Sequence, residues 1–299
     1  MDIDTDKVVH TYCLNEQGGF EADLNCCRLE GTDGNRSYYL VLPVHLQYRA
    51  IGTFIDRLYG RGITNFKLES LTEKYGALSI HGPNSRALVT DLLPDIDLSD
   101  SSLPNNSCVE NNGCIVIRQS LVGEIDGYEL HVPVDKCDEL WGFLQSLSYK
   151  HGLQLIGSRA LDSLAVEQCY YTWGHELRTT DLLHEICGRD NVRKYCKIDG
   201  QMEFCGRDAL KATEPKKRLA RVTLENRNVQ LHGYEALYRN DKVVGFLRRG
   251  TYGYTIDKPI GFGYVISDNG TVDESWITQG TYELECITEK YRANVSLCT

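Results

Sequence analysis

The chain has 299 residues and a net charge of -10, long enough for two or three domains of ~100–150 residues each. Its acidity argues against nucleic acid, which needs a concentrated basic surface, and against an anionic membrane surface. No apolar stretch approaches the ~18–20 residues that cross a bilayer, so the default partner is a small molecule.

Near the start, Gly18-Gly19 leads into Phe20-Glu21-Ala22-Asp23-Leu24. The two glycines allow backbone angles and close approaches that a side chain forbids. Beyond them Leu24 and Cys26 alternate with Asp23 and Asn25, as in a half-buried strand. Asp23 then lies on the face opposite Leu24, where it either meets a ligand or caps the turn.

Tyr38 to Pro43 reads as a strand, and Leu46 through Tyr59 has helical spacing that Gly60 stops. Tyr75 to Pro83 is a strand ending in a turn, and Ser85 through Leu93 a short helix. The polar stretch from Pro94 to Gly113 reads as a loop. Cys114 to Arg118 is a strand, and Gly123-Glu124-Ile125-Asp126-Gly127 is a turn feeding a strand through Pro133. Leu140 to His151 is an amphipathic helix closed by Gly152, and the helix Ser158 to Cys169 puts Leu161, Leu164 and Ala165 on its buried side. Alternating strands and helices predict a sheet with helices on a face.

From about Phe204 the texture changes to short strands with frequent glycine: Leu219–Leu224, Glu235–Tyr238, Val243–Leu247, Gly261–Ile266 and Thr281–Ile287. This pattern predicts a small barrel or sandwich. The basic run Lys216-Lys217-Arg218 before it reads as a solvated linker.

Twelve cysteines in a long chain that opens Met1-Asp2-Ile3-Asp4, which is not a signal peptide, read as buried thiols in a reducing compartment. Sequons at Asn35, Asn105, Asn269 and Asn294 do not overturn this, since such tripeptides arise by chance. No Cys-x-x-Cys pair occurs, and His175 and His184 have no plausible set of metal-ligand partners.

Two constellations can carry chemistry. Glu124 and Glu129 flank the Asp126-Gly127 turn, and Tyr128 and Glu129 face opposite ways on a strand. A carboxylate aimed into a sheet-lined pocket accepts two N–H donors from a heterocycle; otherwise Glu129 is an exposed edge residue. Arg248-Arg249 beside Gly250-Thr251-Tyr252-Gly253-Tyr254 is suited to hold a carboxylate, or else sits on a solvated hairpin. There is no Ser-His-Asp set, phosphate loop or dinucleotide turn.

Read together, Leu14-Asn15-Glu16-Gln17-Gly18-Gly19 with Asp23, His81-Gly82-Pro83, Gly123-Glu124 with Gly127-Tyr128-Glu129, and Phe204-Cys205-Gly206-Arg207 resemble the glycine-cleavage aminomethyltransferase (T-protein) family. Tyr170 to Arg178 and Gly245 to Lys258 narrow the resemblance to the C-terminal part of sarcosine dehydrogenase and its dimethylglycine dehydrogenase relatives. It spans nearly the whole chain.

The resemblance implies an α+β fold: an aminomethyltransferase-like folate-binding cloverleaf, N-terminally truncated, over residues 1–205, with a C-terminal β-barrel domain over 206–299. It implies tetrahydrofolate in the central hole, with Asp23 orienting or deprotonating the folate nitrogen that captures a one-carbon unit. Glu129 would hold the pterin edge, with Tyr39 and Val41 contacting it through side chain and backbone. Tyr195 would stand by an aromatic wall, and Glu124 would support the site from behind. Leu161 stands where the aminomethyltransferase carries an arginine, which leaves Arg159 and Arg249 as candidates for the folate tail.

The activity implied is that of a tetrahydrofolate-binding one-carbon transfer module. An oxidised methyl group from a small amine is trapped as 5,10-methylenetetrahydrofolate, and FAD belongs only to a flavin domain or partner chain outside this sequence. The alternative is a non-catalytic subunit resembling the regulatory subunit of pyruvate dehydrogenase phosphatase. A mitochondrial matrix location is implied by resemblance alone, as no Arg-rich presequence is present.

Overall fold

A computed structural model of the chain describes residues 3–30, 36–120, 125–188, 196, 198–200, 203–268, 270 and 272–297. Two compact units interleave in sequence. One comprises Met1–Thr11 and Ala22–Leu155, the other Tyr12–Glu21 and Ile156–Thr299.

The first unit carries two antiparallel layers. Strands β1 (Val8–Leu14), β2 (Phe20–Glu30) and β3 (Arg36–Val41) form a three-stranded sheet in that order, β1 and β2 each running across a unit boundary in sequence. After α1 (Gln47–Gly60) come β4 (Tyr75–His81), α2 (Ser85–Leu92), β5 (Ser107–Asn111), β6 (Cys114–Arg118) and β7 (Gly127–Pro133). These four strands form a second sheet in the order β4-β7-β6-β5. Helices α3 (Cys137–Ser146) and α4 (Ser148–His151) close the unit, and Gly152, at φ 67°, supplies the left-handed cap that ends α4.

Strand alternation gives the second sheet two different faces. Ile80, Val116, Tyr128, Leu130 and Val132 point one way, into a core with Leu88, Val89 and Leu92 of α2 and Leu144 of α3. Ile115 and Ile117 point the other way, to a smaller core with Val8, Cys27, Cys108, Tyr39 and Val41. Glu129 and His131 alternate with Tyr128, Leu130 and Val132, so they lie on this second face.

β5 was expected to be loop. It forms because Asn112 and Gly113 both adopt positive φ, 53° and 79°, the two-residue turn that Asn-Gly favours. That turn sets Asn111 opposite Cys114.

The second unit contains α5 (Ser158–Glu167), α6 (Leu183–Cys187) and a closed six-stranded barrel. Its strands are β8 (Lys217–Leu224), β9 (Ala236–Arg239), β10 (Lys242–Gly253), β11 (Lys258–Ile266), β12 (Tyr282–Cys286) and β13 (Glu289–Leu297), closed in the order β10-β11-β8-β13-β12-β9. Ala220, Val222, Leu224, Leu237, Leu247, Val265 and Leu284 fill the interior. Leu219, Ile260, Phe262 and Tyr264 face outward into a second core with Phe20, Val166 and Leu177.

Three sequence expectations change here. The Thr281–Ile287 run stops at Cys286, because Ile287 and Thr288 turn at φ 48° and 68° to start β13. The buried side of α5 is Ser163, Ala165 and Val166, while Leu161 is exposed. Polar contacts select that side: Ser163 Oγ donates to the Tyr252 carbonyl and Asp162 meets Arg249. Lys217 opens β8 rather than a solvated linker, its ammonium 2.5 Å from the buried Asp181 carboxylate. The described cysteines are all free thiols, buried or half-buried.

Candidate functional site

The Gly18-Gly19 turn is built within the second unit. The Asn15 side chain accepts from the amides of Gln17 and Gly19 and donates to the Thr179 carbonyl. A Cβ on Gly19 would lie 1.9 Å from that carbonyl oxygen, so glycine is required by contact rather than by φ.

Asp23 lies on β2 in the first unit and is buried. Register places Asn25 opposite Val41 and Cys27 opposite Tyr39. Directly opposed residues share a face, so alternation sets Asp23, Asn25, Cys27, Tyr39 and Val41 on one side of the β2–β3 ribbon. The charge of Asp23 also reaches His10, where it opposes the burial that lowers the His10 pKa.

Glu129 comes from β7, opposite Ser79 of β4 and Ile117 of β6. The turn before it is held by Arg118, whose Nε and Nη2 donate to the two carboxylate oxygens of Asp126 and whose Nη1 donates to Asp100 and the Leu103 carbonyl. Gly127 is needed there, since a Cβ would come within 1.9 Å of His81 Nδ1.

The two layers of this unit meet through polar pairs. Asn25 and Gln119 exchange amide hydrogen bonds at 2.6 and 3.2 Å. The Tyr39 hydroxyl and His131 Nδ1 are 3.1 Å apart with the rings edge to face. His131 Nε2 in turn lies 3.6 Å from Glu129 Oε2 and has no hydrogen-bond partner, although the imidazole is only 7 % exposed. Burial, helped by Tyr75, Cys27 and Glu129, pushes the Tyr39 hydroxyl up to about 12, so it keeps its proton as a donor. Burial lowers the pKa of His81 despite the nearby Glu129 and Asp126 charges, and its Nε2 sits 2.5 Å from Ser79 Oγ.

Asp23, Tyr39, Val41 and Glu129 therefore belong to one unit, with Tyr39 and Glu129 linked through His131. The sequence reading omitted His131 and His81 from the site. Alternation from Glu129 was the available signal for His131, which lies two residues on along the same strand face. Glu124 and Tyr195 lie outside the described residues.

Arg249 belongs to the second unit and is buried on β10. Its Nε and Nη2 donate to the two oxygens of Glu176 at 2.8 and 2.7 Å, Nη1 to Asp162 and Nη2 also to the Tyr170 carbonyl. The carboxylate it was expected to clasp is supplied from within the chain. Arg248 points to Asp181 at 3.2 Å, so neither arginine sits on a solvated hairpin.

A family model for the GCVT N-terminal domain matches residues 1–187, and one for the glycine cleavage T-protein C-terminal barrel domain matches residues 217–298. The chain belongs to the glycine cleavage T-protein family. Among curated T-protein relatives, it is 35% identical to mitochondrial sarcosine dehydrogenase from Mus musculus, over 97% of this chain and 33% of that protein. It is 29% identical to the mitochondrial pyruvate dehydrogenase phosphatase regulatory subunit of the same species, over 99% of this chain and 34% of that protein. The chain thus spans about a third of the length of these relatives. The crystal structure of the glycine cleavage system aminomethyltransferase T from Bartonella henselae shares the T-protein fold, with a TM-score of 0.76 at 20% identity, covering 98% of this chain and 75% of that one.

Proposed function

We propose that this T-protein family chain binds tetrahydrofolate and transfers a one-carbon unit to it, as the folate module of a sarcosine or dimethylglycine dehydrogenase-like enzyme. The observation that carries the reading is the polar arrangement in the first unit, where Asp23, Tyr39 and Val41 share a strand face and His131 ties Tyr39 to Glu129. The donor set fits a pterin edge. A half-buried carboxylate accepts two parallel N–H donors well, as bidentate charge-assisted pairs do.

In this reading Glu129 anchors the pterin and the Tyr39–Val41 strand lines its edge. Asp23 takes a proton from the reacting nitrogen, a step typically worth ~10²–10⁴ in rate. Bound tetrahydrofolate supplies the nitrogens that carry the one-carbon unit away as 5,10-methylenetetrahydrofolate. Holding amine-derived electrophile and folate in contact is the larger part of the catalysis. Arg249, saturated by Glu176 and Asp162, is assigned to holding its own unit together rather than to the folate tail. Glu124 and Tyr195 keep the supporting roles that the resemblance implies, and any FAD would act from a flavin domain or partner chain. The mitochondrial names of the relatives support a matrix location.

Titration calorimetry of the 299-residue chain with tetrahydrofolate tests this. Saturable binding is expected, weakened roughly ten- to hundredfold by Glu129→Gln, the loss that follows from removing a hydrogen bond to a charged group. Asp23→Asn should bind as wild type and lose transfer. An Asp23→Asn chain with undiminished transfer sinks the base assignment.

The similarity to the phosphatase regulatory subunit across 99% of this chain supports a second reading, a non-catalytic regulatory subunit. A folded chain that ignores folate but forms a stable complex with a phosphatase catalytic subunit would favour it.

A further inference from the structure

Resting on the reading that Glu129 holds the pterin edge, we infer that His131 is its positioning residue: it fixes the Glu129 carboxylate from the tautomer that carries its proton on Nε2, with Nδ1 accepting from Tyr39. His131 has one ring nitrogen engaged, Nδ1 at 3.1 Å from the Tyr39 hydroxyl, and one buried without a hydrogen bond, Nε2, facing Glu129 Oε2 at 3.6 Å. A neutral imidazole carries its proton on one nitrogen only. The carboxylate decides which one. A bare lone pair on Nε2 would face the negative charge of Glu129, whereas an Nε2–H would face it favourably, leaving Nδ1 to accept from Tyr39. Tyr39 can fill that role, since its hydroxyl is protonated at neutral pH and burial pushes it further up.

The remaining gap is small. A charge-assisted N–H···O⁻ bond closes at about 2.7–2.9 Å, so Glu129 needs to move less than about 1 Å to satisfy Nε2. That movement engages Oε2 and leaves Oε1, with the unused lone pairs of both oxygens, for the N–H donors of the ligand. His131 touches Glu129 rather than the ligand, and a ring nitrogen bonded on its far side to a second group has its orientation fixed.

The sheet leaves the imidazole little freedom. His131 is flanked in register by Ala77 and Ile115, and its ring meets Tyr39 edge to face. Tyr39 itself packs edge to face against Tyr75 at 6.4 Å. Aromatic contacts on one side and the carboxylate on the other therefore keep Nδ1 toward Tyr39 and Nε2 toward Glu129.

The test measures affinity for tetrahydrofolate, and for an analogue whose 2-amino group is replaced by methyl, in wild type, Tyr39→Phe, His131→Leu and His131→Gln. Thermal unfolding checks that each variant folds. His131→Leu should weaken tetrahydrofolate roughly tenfold or more. His131→Gln, whose side-chain amide still reaches Glu129 with an N–H, should recover most of that loss, and Tyr39→Phe should fall between. The analogue should lose much less between wild type and His131→Leu, because a double-mutant cycle shows coupling only between groups that act on each other. Equal losses for both ligands in a folded His131→Leu chain, or wild-type affinity in that variant, would overturn the inference while leaving folate binding intact. A folded wild-type chain that binds no tetrahydrofolate would instead overturn the folate reading, and this inference with it.

Discussion

Arg249 and Glu176 form a two-pronged buried ion pair, Nε to Oε1 at 2.8 Å and Nη2 to Oε2 at 2.7 Å, across 73 residues of sequence. Such a pair is costly to break from one side, because the partner left behind is a buried charge. Arg249→Leu is expected to lower stability by about 3–5 kcal/mol, and Arg249→Leu with Glu176→Leu to recover a good part of it. Urea unfolding of the single and double variants measures this. A single variant within about 0.5 kcal/mol of wild type would show that the pair holds nothing.

Gly19 is expected to tolerate no side chain. Its Cβ would fall on the Thr179 carbonyl, which is backbone and cannot swing aside. Gly19→Ala should cost at least the ~1–3 kcal/mol typical of overpacking, read as a lower denaturation midpoint. Gly62→Ala is the contrasting case, since a Cβ there meets nothing within 4 Å and only its φ of 72° opposes the change.

Acid should weaken the fold earlier than carboxylate titration alone would do. Burial lowers the pKa of both His10 and His81 from the ordinary 6.5, so the unfolded chain takes up these protons first as pH falls. Stability present above pH 6.5 is therefore lost progressively below it, down through the lowered native values. Unfolding midpoints at pH 7.5, 6.5 and 5.5 should fall in that order, and a His81→Gln chain should show a shallower fall. Buried Glu176 and Glu185, whose carboxyls burial pushes up, act in the opposite sense, so the His81→Gln comparison decides: a fall as steep as wild type would contradict the assignment for His81.

The turn between β12 and β13 invites improvement. Ile287 and Thr288 are β-branched residues held at positive φ, and Ile287 is 93% exposed, so its side chain has little packing to lose. Replacing the pair by Asn-Gly is expected to stabilise the chain by about 1–2 kcal/mol, since that dipeptide adopts the same turn without strain. Calorimetric melting would show the gain as a raised Tm.

What the sequence disclosed depended on distance along the chain. The strands that carry Asp23, Tyr39 and Glu129 could be read because alternation is a local rule, and the same rule governs them in the structure, whereas the roles of these residues came from the resemblance. The hairpin turn Asn112-Gly113 was also local, yet the polar residues around it hid β5 in an apparent loop. Ile287 and Thr288 hid β13 for the opposite reason, being residues that favour a strand but form its turn. Arg248, Arg249 and Lys217 were misread because their partners, Asp181 and Glu176, lie 36 to 73 residues away. No periodicity reports a pairing of that kind. His131 falls between these cases: its face was legible, but its link to Tyr39 spans 92 residues.

The ten residues Tyr12–Glu21 are counted with the barrel-bearing unit, although they precede almost all of the other one. Phe20 is fully buried there, and its carbonyl accepts from the Trp173 indole, 153 residues later. This strip is made before the partners it packs against, Trp173 among them. Closing so long a loop adds little to the free-energy cost, about 0.6 kcal/mol per doubling, but it slows the search. Cutting the chain at Ile156 would leave the barrel side without a core residue that only the N-terminal segment supplies.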